Sequence, residues 1–154
     1  MDRTDHRLLA TLQRNAKTSV QRLAEIAGAS TASVQRRLRA LRESGVIIRE
    51  VAVLDQKKLG FDVTAIVAVD LERDRLDQIE AFKRKARKDP QVSHFYCIAG
   101  DADFILVVLA RDMSDYEAFT HRFFFADQTV RKFRTSIVVS TEKSTLELPL
   151  EQGL

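Results

Sequence analysis

The segment from Gly28 to Gly45 limits the possible folds of this chain more than any other stretch. Three apolar residues in it recur with the spacing of one helical face, namely Val34, Leu38 and Leu41. Ser30 can cap this helix at its N-terminus, and Gly45 can end it in the left-handed conformation that costs glycine no Cβ clash. The opposite face begins with small residues and continues with arginines, which suits a helix that enters the major groove of DNA. The same face could also be the solvated side of an ordinary amphipathic helix.

The residues on either side of this helix favour the first of these alternatives. Residues 5–15 predict an earlier helix with Asp5 as its N-cap, and Ser19 predicts the start of another that ends before Gly28. Two short helices joined by a tight glycine-containing turn form a helix-turn-helix, and the preceding helix completes a three-helix core. Over residues 47–53 the apolar period changes to two, which predicts a β-strand that forms a wing.

Positive charge is concentrated in the first third of the chain. Residues 1–50 contain ten Lys and Arg against five Asp and Glu, whereas the remainder contains 15 against 17. This asymmetry indicates that one domain binds a polyanion. On the recognition helix we expect three side chains to reach base edges, because Arg pairs with guanine and Gln with adenine: Ser33, Gln35 and Arg36. We expect phosphate contacts from Ser30, Thr31, Arg37, Arg39 and, in the wing, Arg49. For Arg37, which lies beside the apolar stripe, a structural ion pair is the alternative.

The rest of the chain has the order β-α-β-β-α-β. Strands are predicted from β-branched and alternating apolar residues over 63–71, 92–99, 103–110 and 130–141. Helices are predicted over 76–88, ended by Pro90, and from a Ser114 cap to Phe125. This order is that of a ferredoxin-like domain, with a four-stranded antiparallel sheet and two helices on one face. The predicted class is therefore α+β, with a winged helix-turn-helix followed by a ferredoxin-like domain.

These elements divide the chain into four parts. We predict a DNA-binding domain over residues 1–50, an interdomain strand or linker over 51–60, a ferredoxin-like domain for effector binding and oligomerisation over 61–142, and a C-terminal tail over 143–154. Part of the tail, residues 145–150, has a strand-like pattern.

Several classes of function are disfavoured by what the sequence lacks. No apolar run approaches the ~20 residues of a membrane span, and the charged N-terminus does not resemble a secretory signal. The single cysteine, Cys97, rules out a disulfide within the chain, fits a cytoplasmic location, and is expected to be a buried strand residue. The three histidines are too dispersed to predict a metal site, and no phosphate loop or catalytic motif predicts a cofactor or a catalytic residue.

The turn between the two central strands is a candidate ligand site. Gly100, Asp101 and Asp103 could present backbone N–H groups to a carboxylate and a side-chain carboxylate to an ammonium group. The alternative is a simple hairpin turn that needs the positive φ of glycine and the turn preference of aspartate.

Taken together, the two halves resemble the Lrp/AsnC family, the leucine-responsive and asparagine-synthase regulators of bacteria and archaea. The resemblance covers about residues 2 to 141. Its motifs are Leu23-Ala24, Gly28, Ser30 and Gly45-Val46-Ile47 in the first half, and Gly100-Asp101-Ala102-Asp103-Phe104, Asp112-Met113-Ser114 and Arg134-Thr135-Ser136 in the second. Two departures are Ala29, where the family usually has leucine, and residues 126–130, which replace the usual Leu-Pro-Gly-Val.

The resemblance implies a transcriptional regulator that binds pseudo-palindromic promoter sites on double-stranded DNA. It implies a homo-oligomer of dimers, commonly an octamer, with a small amino-acid-like effector bound between dimers. Carried over by alignment, Met113, Ser136 and Ile137 would form the walls of that effector site beside the Gly100–Asp103 turn.

Two further functions stay open at this point. The first is a small-molecule-binding enzyme in which Asp101 and Asp103 perform acid-base chemistry, although no partner group for them can be named. The second is an architectural DNA-binding protein that needs no effector. RNA binding by the sheet is disfavoured, because the strands lack the aromatic motif that such sheets use.

Overall fold

The computed structural model describes residues 1–72 and 76–150, which divide into two compact units. One unit combines residues 1–53 with the C-terminal tail from Lys143, and the other comprises residues 54–142.

Three helices form the core of the first unit: α1 (Arg3–Arg14), α2 (Val20–Ala27) and α3 (Thr31–Glu43). As predicted, Ser19 caps α2 and Ser30 caps α3, and Gly28 and Gly45 follow the two helices with φ of 63° and 74°. The apolar stripes meet in one cluster of buried side chains: Leu8, Leu23, Val34, Leu38 and Leu41. This packing confirms the predicted three-helix arrangement around a helix-turn-helix.

Helix α1 begins two residues before the predicted start. Its N-cap is Asp2, whose carboxylate accepts a hydrogen bond from the backbone N–H of Asp5 at 2.9 Å. The Asp5 carboxylate accepts in turn from the Asp2 N–H at 3.0 Å, so the two residues form a reciprocal capping box. The prediction of Asp5 as the cap was wrong, because Asp5 is the third residue of the helix and its carboxylate accepts the backbone N–H of the actual cap, Asp2.

The predicted strand over residues 47–53 does not form. Ile47 donates its N–H to the Leu41 carbonyl at 3.0 Å and packs partly on the helical core, but residues 48–55 have no regular structure. Val51 and Val53 are exposed. A two-residue period gives a strand only where a neighbouring strand supplies the ladder, and the described residues of this chain supply none here.

The second unit is a four-stranded antiparallel sheet in the order β2-β3-β1-β4, which is the ferredoxin-like order. Its strands are β1 (Val63–Leu71), β2 (Val92–Cys97), β3 (Phe104–Ala110) and β4 (Val130–Ile137). Helix α4 (Leu76–Lys88) precedes β2, and helix α5 (Met113–Thr120) follows β3 and continues as a π-helical turn, His121–Phe125. The predicted bounds of β1 and α4 are confirmed.

Three details of this unit differ from the predictions. The cap of α5 is Asp112 and not Ser114, because the Asp112 carboxylate accepts from the Asp115 N–H at 2.8 Å. Strands β2 and β4 end two and four residues early. Cys97 is exposed and not buried, because it is the last residue of an edge strand.

An aromatic cluster fills the core between the sheet and the helices. Phe82 from α4 packs edge-on against Phe123, with ring centroids 5.7 Å apart. Phe119 from α5 stacks on Phe123 at 4.9 Å and meets Phe124 edge-to-face at 5.6 Å. All four side chains are essentially inaccessible to solvent. The π-helical turn makes this possible by placing Phe123 and Phe124 on the core side in succession.

The C-terminal tail contacts α1 as an irregular segment. The Gln13 side-chain amide donates to the Leu148 carbonyl and accepts from the Leu148 N–H, both at 2.9 Å. Arg14 lies 3.4 Å from the Glu147 carboxylate. The strand predicted over residues 145–150 is absent, because its backbone pairs with one side chain and with no neighbouring strand.

The second unit should lose stability in acid because two of its carboxylates are paired. Burial acts to raise the pKa of Asp127, but hydrogen bonds from Lys85 at 2.8 Å and from Thr129 outweigh it and lower the pKa. Burial likewise acts to raise the pKa of Asp89, but the hydrogen bond and the charge of Arg122 outweigh it, so that the pKa of Asp89 is lowered. A depressed folded-state pKa means that the unfolded chain binds more protons in acid.

We therefore expect the melting temperature to be nearly constant between about pH 7 and 5 and to fall below about pH 4, where unfolded aspartate protonates. Thermal unfolding at several pH values, followed by tyrosine emission, measures this, since Tyr96 and Tyr116 are the two tyrosines of the chain. The Asp127→Asn variant should show a flatter acid dependence. An equally steep fall in that variant would assign the acid sensitivity to other groups.

Candidate functional site

The outward face of α3 carries polar side chains that the fold does not use. Gln35, Arg36 and Arg39 are exposed, and none of their side chains has a hydrogen bond or an ion pair within residues 1–72 and 76–150. The 3.6-residue period places Arg36 and Arg39 opposite Val34, Leu38 and Leu41, and Gln35 at the side of the helix. A guanidinium without a partner retains all five donors for an external acceptor. This face is therefore available to a polyanion.

Arg37 is committed to the fold, in agreement with the alternative of a structural ion pair. Its Nη1 lies 2.7 Å from the Asp2 carboxylate and 2.8 Å from that of Asp5, so it joins α3 to the capping box of α1. Hydrogen bonds to Asp5 and then Asp2 raise the pKa of Arg37, which keeps the charge in place. The pairing orients α3 against α1 and leaves Arg37 fewer free donors than its neighbours on the helix.

The remaining predicted contacts lie in the first turn of α3 and in the segment that follows the helix. Ser30 is the N-cap, and its Oγ accepts from the Ser33 N–H at 3.2 Å, so its hydroxyl proton stays available. Thr31 is exposed and Ser33 half-buried in the first turn. Arg49 lies in the irregular segment after α3, is exposed, and has no partner among the described residues.

The Gly100–Asp103 turn lies at one end of the sheet, where it joins β2 to β3. Gly100 does not have a positive φ, and a Cβ added to it would meet no atom within 4 Å. The backbone of this turn therefore does not require glycine, contrary to the simple-hairpin alternative. The absent side chain leaves open space beside the turn, which allows a close approach from outside.

The two aspartates of the turn differ in their surroundings. The Asp103 N–H donates to the Val69 carbonyl at 3.0 Å, and its Oδ2 accepts from the Leu71 N–H at 2.9 Å. The Asp101 carboxylate is exposed and has no hydrogen bond or ion pair among the described residues. Asp103 therefore holds the turn to β1, and Asp101 presents a free negative charge.

The other predicted effector residues lie at the opposite end of the sheet. Met113 is the first residue of α5, three residues after the end of β3, and Ile137 pairs with Ala65 near the start of β1. Strand β3 has seven residues, about 20 Å at ~3.3 Å per residue, and separates Met113 from the Gly100–Asp103 turn. Ser136 and Ile137 are consecutive strand residues, so they point to opposite faces. One protomer does not bring these residues together with the turn.

The sheet face opposite α4 and α5 is uncovered by the described residues of its domain and carries an apolar patch on β1, β2 and β3, whereas Lys132 and Arg134 lie along β4 on the same face. The pairing places Ile66 beside Val107, and Tyr96 beside Ile105, in two rows on this face. Ile66 is 41% and Tyr96 51% exposed. A partly exposed apolar patch with a polar margin is typical of a protein interface.

Sequence reasoning missed two charged residues beside the turn. Asp70 on β1 is buried, and its carboxylate lies 3.0 Å from Nη1 of Arg134 on β4. The available signal was an aspartate at the end of the apolar run from Ala65 to Val69, because a buried carboxylate needs a charged partner.

Two structural features bear on other classes of function. Within residues 1–72 and 76–150, no group of three or more His, Cys, Asp or Glu side chains could hold a metal ion. None of the helices in the described part of the chain has the length and apolar composition required to span a bilayer.

The fold and its two surfaces define a DNA-binding transcriptional regulator with a separate ligand-binding domain. Residues 1–48 match the winged helix-turn-helix DNA-binding domain, and residues 64–148 match the Lrp/AsnC ligand binding domain. The chain belongs to the Lrp/AsnC family of transcriptional regulators, as the resemblance in its sequence indicated.

Individual relatives agree with this assignment over the whole chain. An uncharacterised HTH-type transcriptional regulator of Sinorhizobium fredii is 42% identical over 98% of this chain and 89% of its own length. The crystal structure of an AsnC family regulator from Agrobacterium tumefaciens superposes with a TM-score of 0.93 at 34% identity, with complete coverage of both chains. A transcriptional regulator from Neisseria meningitidis, solved as a complex with L-Met, superposes with a TM-score of 0.95 at 27% identity, covering 100% of this chain and 99% of its own.

Proposed function

We propose that this protein is a sequence-specific regulator that binds pseudo-palindromic promoter DNA and whose DNA affinity is changed by a small amino acid. The proposal rests on one observation, namely that the surface suited to DNA and the fold that binds ligands belong to different units. One unit has a helix face with unpaired donors, and the other has a ligand-binding fold with an open, charged turn.

The DNA contacts that we propose follow from the free donors of α3. Gln35 and Arg36, with Ser33, would read base edges in the major groove. Arg39 would contact phosphates, together with Ser30, Thr31 and Arg49. The ion pairs of Arg37 support a role in orienting the helix, with at most a secondary phosphate contact. In a dimer the two helices would read half-sites about 34–36 Å apart, or multiples of this distance.

The effector that we propose is a zwitterion bound at the Gly100–Asp103 turn. The free Asp101 carboxylate would bind the ammonium group, backbone N–H groups would bind the carboxylate, and Gly100 would leave space for both. Asp103 would keep the turn attached to β1. The L-Met in the Neisseria relative supports an amino acid as the class of ligand.

Assembly would complete this site. Met113, Ser136 and Ile137 could line it only if a second copy brought its opposite sheet end to the turn, because β3 separates them within one chain. The uncovered apolar patch with Ile66 and Tyr96 supports pairing of two copies as the first step. We therefore propose a dimer that assembles further, as in the octamers that the family resemblance implies. Such a regulator would work in the cytoplasm and needs no catalytic residue or cofactor.

A thermal-shift screen against the twenty amino acids tests the effector. A ligand at one hundred times its dissociation constant adds about 2.7 kcal/mol to the free energy of unfolding, which raises the melting temperature. The amino acid found should also change the DNA affinity or the oligomer size measured by light scattering, since coupling requires different affinities for two states.

Two variants make this experiment specific. Asp101→Asn should abolish the thermal shift and keep the ligand-free DNA affinity. Glu80→Gln removes a charge from the exposed face of α4 and should behave as wild type. DNA binding without any amino acid response at millimolar concentration would identify an effector-independent architectural protein instead.

A further inference from the structure

Arg134 occupies an unusual place on the sheet, because one guanidinium connects three segments of the second unit. The register puts Arg134 on β4 opposite Ala68 on β1, so its side chain reaches along the sheet to Asp70. Nη1 lies 3.0 Å from the Asp70 carboxylate, and Nη2 donates to the Asp101 carbonyl at 3.1 Å. Two strands and the Gly100–Asp103 turn therefore share one cation.

The Asp70 carboxylate fixes the guanidinium. Asp70 is only 7% exposed, and a buried carboxylate without a partner is costly, so Asp70 needs the guanidinium of Arg134, whose side chain is 44% exposed, beside it. Arginine has donors in a rigid planar fork, so orienting Nη1 toward Asp70 also orients Nη2. The position of Nη2 over the turn is thus set by the sheet and not by the turn itself.

The hydrogen bond from Arg134 to the Asp101 carbonyl fixes the orientation of the Asp101–Ala102 peptide. In a trans peptide the C=O of one residue and the N–H of the following residue point in opposite directions. With the Asp101 oxygen on Arg134, the Ala102 N–H points away from the guanidinium, and it has no acceptor among the described residues. Ala102 itself is only 7% exposed, so the part of this peptide that a ligand can reach is the exposed Asp101 with its free carboxylate.

We infer that Arg134 is a positioning residue of the ligand site, acting through the Asp101–Ala102 peptide. This inference rests on the proposed function of the turn as an effector site. Held by Asp70, Arg134 fixes the Asp101–Ala102 peptide against the sheet, and with it the direction in which the Asp101 carboxylate is presented. A ligand then meets a turn that is already in the binding conformation and does not have to be ordered on binding.

The test compares Arg134→Lys with Arg131→Lys in the full-length protein. Lysine keeps the positive charge beside Asp70 but lacks the fork that reaches the Asp101 carbonyl at the same time. Arg131 lies on the same strand, is exposed, and has no partner among the described residues, which makes it the matched control. The first measurement is amide hydrogen exchange without ligand. It follows two amides of the turn, the Asp103 N–H bonded to Val69 and the Ile98 N–H bonded to Asp103.

In Arg134→Lys we expect these two amides to exchange about tenfold faster or more, because a hydrogen bond from a charged donor is lost. Amides at the centre of β1 and β3 should be unchanged, which separates a loosened turn from a loosened domain. The second measurement is calorimetric binding of L-methionine, whose affinity should fall about tenfold or more in Arg134→Lys and stay unchanged in Arg131→Lys.

The two measurements separate this inference from the function on which it rests. Unchanged exchange at Ile98 and Asp103 in Arg134→Lys overturns the inference, whatever the ligand data show. Faster exchange with unchanged affinity for L-methionine also overturns it, because the turn would then not need positioning. If the wild type binds no L-methionine, methionine fails as the effector, and the exchange data alone decide whether Arg134 positions the turn.

Discussion

Replacement of Phe119 by alanine should lower the free energy of unfolding of the second unit by about 3–5 kcal/mol. Phe119 is fully buried and contacts three other rings, those of Tyr116, Phe123 and Phe124. Removal of the ring forfeits its burial and leaves a cavity that the surrounding phenylalanines fill only partly. At about 4–8 °C per kcal/mol for a domain of this size, the transition should move down by roughly 12–40 °C.

Two optical signals can locate this effect within the chain. Both tyrosines, Tyr96 and Tyr116, belong to the second unit, so tyrosine emission follows that unit alone. Circular dichroism at 222 nm also follows helices α1 to α3. We expect the emission transition to shift and the helix-turn-helix to keep its own transition, because the core around Leu8 and Leu38 contains no residue of the second unit.

A matched variant uses the exposed phenylalanine of the same segment. Phe125 is 68% exposed and packs on Phe133 with ring centroids 5.3 Å apart. Phe125→Ala should therefore cost about 0.5–1.5 kcal/mol, the contribution of one aromatic pair. Equal shifts for Phe119→Ala and Phe125→Ala would show that the aromatic cluster is not the core of this unit.

The parts of the fold that were predicted correctly are those with a local signal. Ser19 and Ser30 cap helices because a hydroxyl can accept a nearby orphan N–H, and Gly45 follows α3 because it tolerates positive φ. Strand β1 was predicted to the residue because it lies between two neighbouring strands and is rich in β-branched residues, with every second side chain from Val63 to Val69 buried.

The errors lie where structure depends on a partner that the local sequence does not specify. Residues 47–53 and 145–150 alternate like strands, but without a neighbouring strand they stay irregular. Cys97 was expected to be buried, but an edge strand has only one neighbour and its end is exposed. In α1 both Asp2 and Asp5 have side chains that can cap, and the sequence does not show that Asp5 is the third helical residue of a capping box begun by Asp2.

The candidate site was predictable as a set of residues but not as an arrangement. The turn around Asp101 was recognisable from its motif, and the helix face from its arginines. The difference between Asp101 and Asp103 depends on hydrogen bonds to Leu71 and Val69, which are more than 30 residues away in sequence. The contact of Arg134 with the turn likewise depends on the pairing of β1 with β4. Long-range pairing of this kind leaves no local periodicity.

Replacement of Arg36 by alanine should weaken binding to the preferred DNA site by about 1–3 kcal/mol, or roughly 5- to 150-fold, and relax its sequence preference. Arg36 is exposed on the outward face of α3 and has no partner among the described residues, so its guanidinium is free to bind a base edge bidentately. The probe is a duplex selected by the wild-type protein from a random pool, compared with a random duplex of equal length. Affinity for the random duplex should change little.

Three other arginine variants serve as comparisons for Arg36→Ala, because each is expected to change a different property or none. Arg39→Ala should weaken both duplexes alike and reduce the dependence of log K on log salt by about one, as the loss of one phosphate contact does. Arg37→Ala should lower the melting temperature of the helix-turn-helix, since it leaves Asp2 and Asp5 without their cation. Arg84→Ala, which replaces an exposed arginine on α4 in the other unit, should bind both duplexes as the wild type does.

If Arg36→Ala retains both the affinity and the preference of the wild type, α3 does not read the DNA sequence through this side chain, and Gln35 becomes the next position to test.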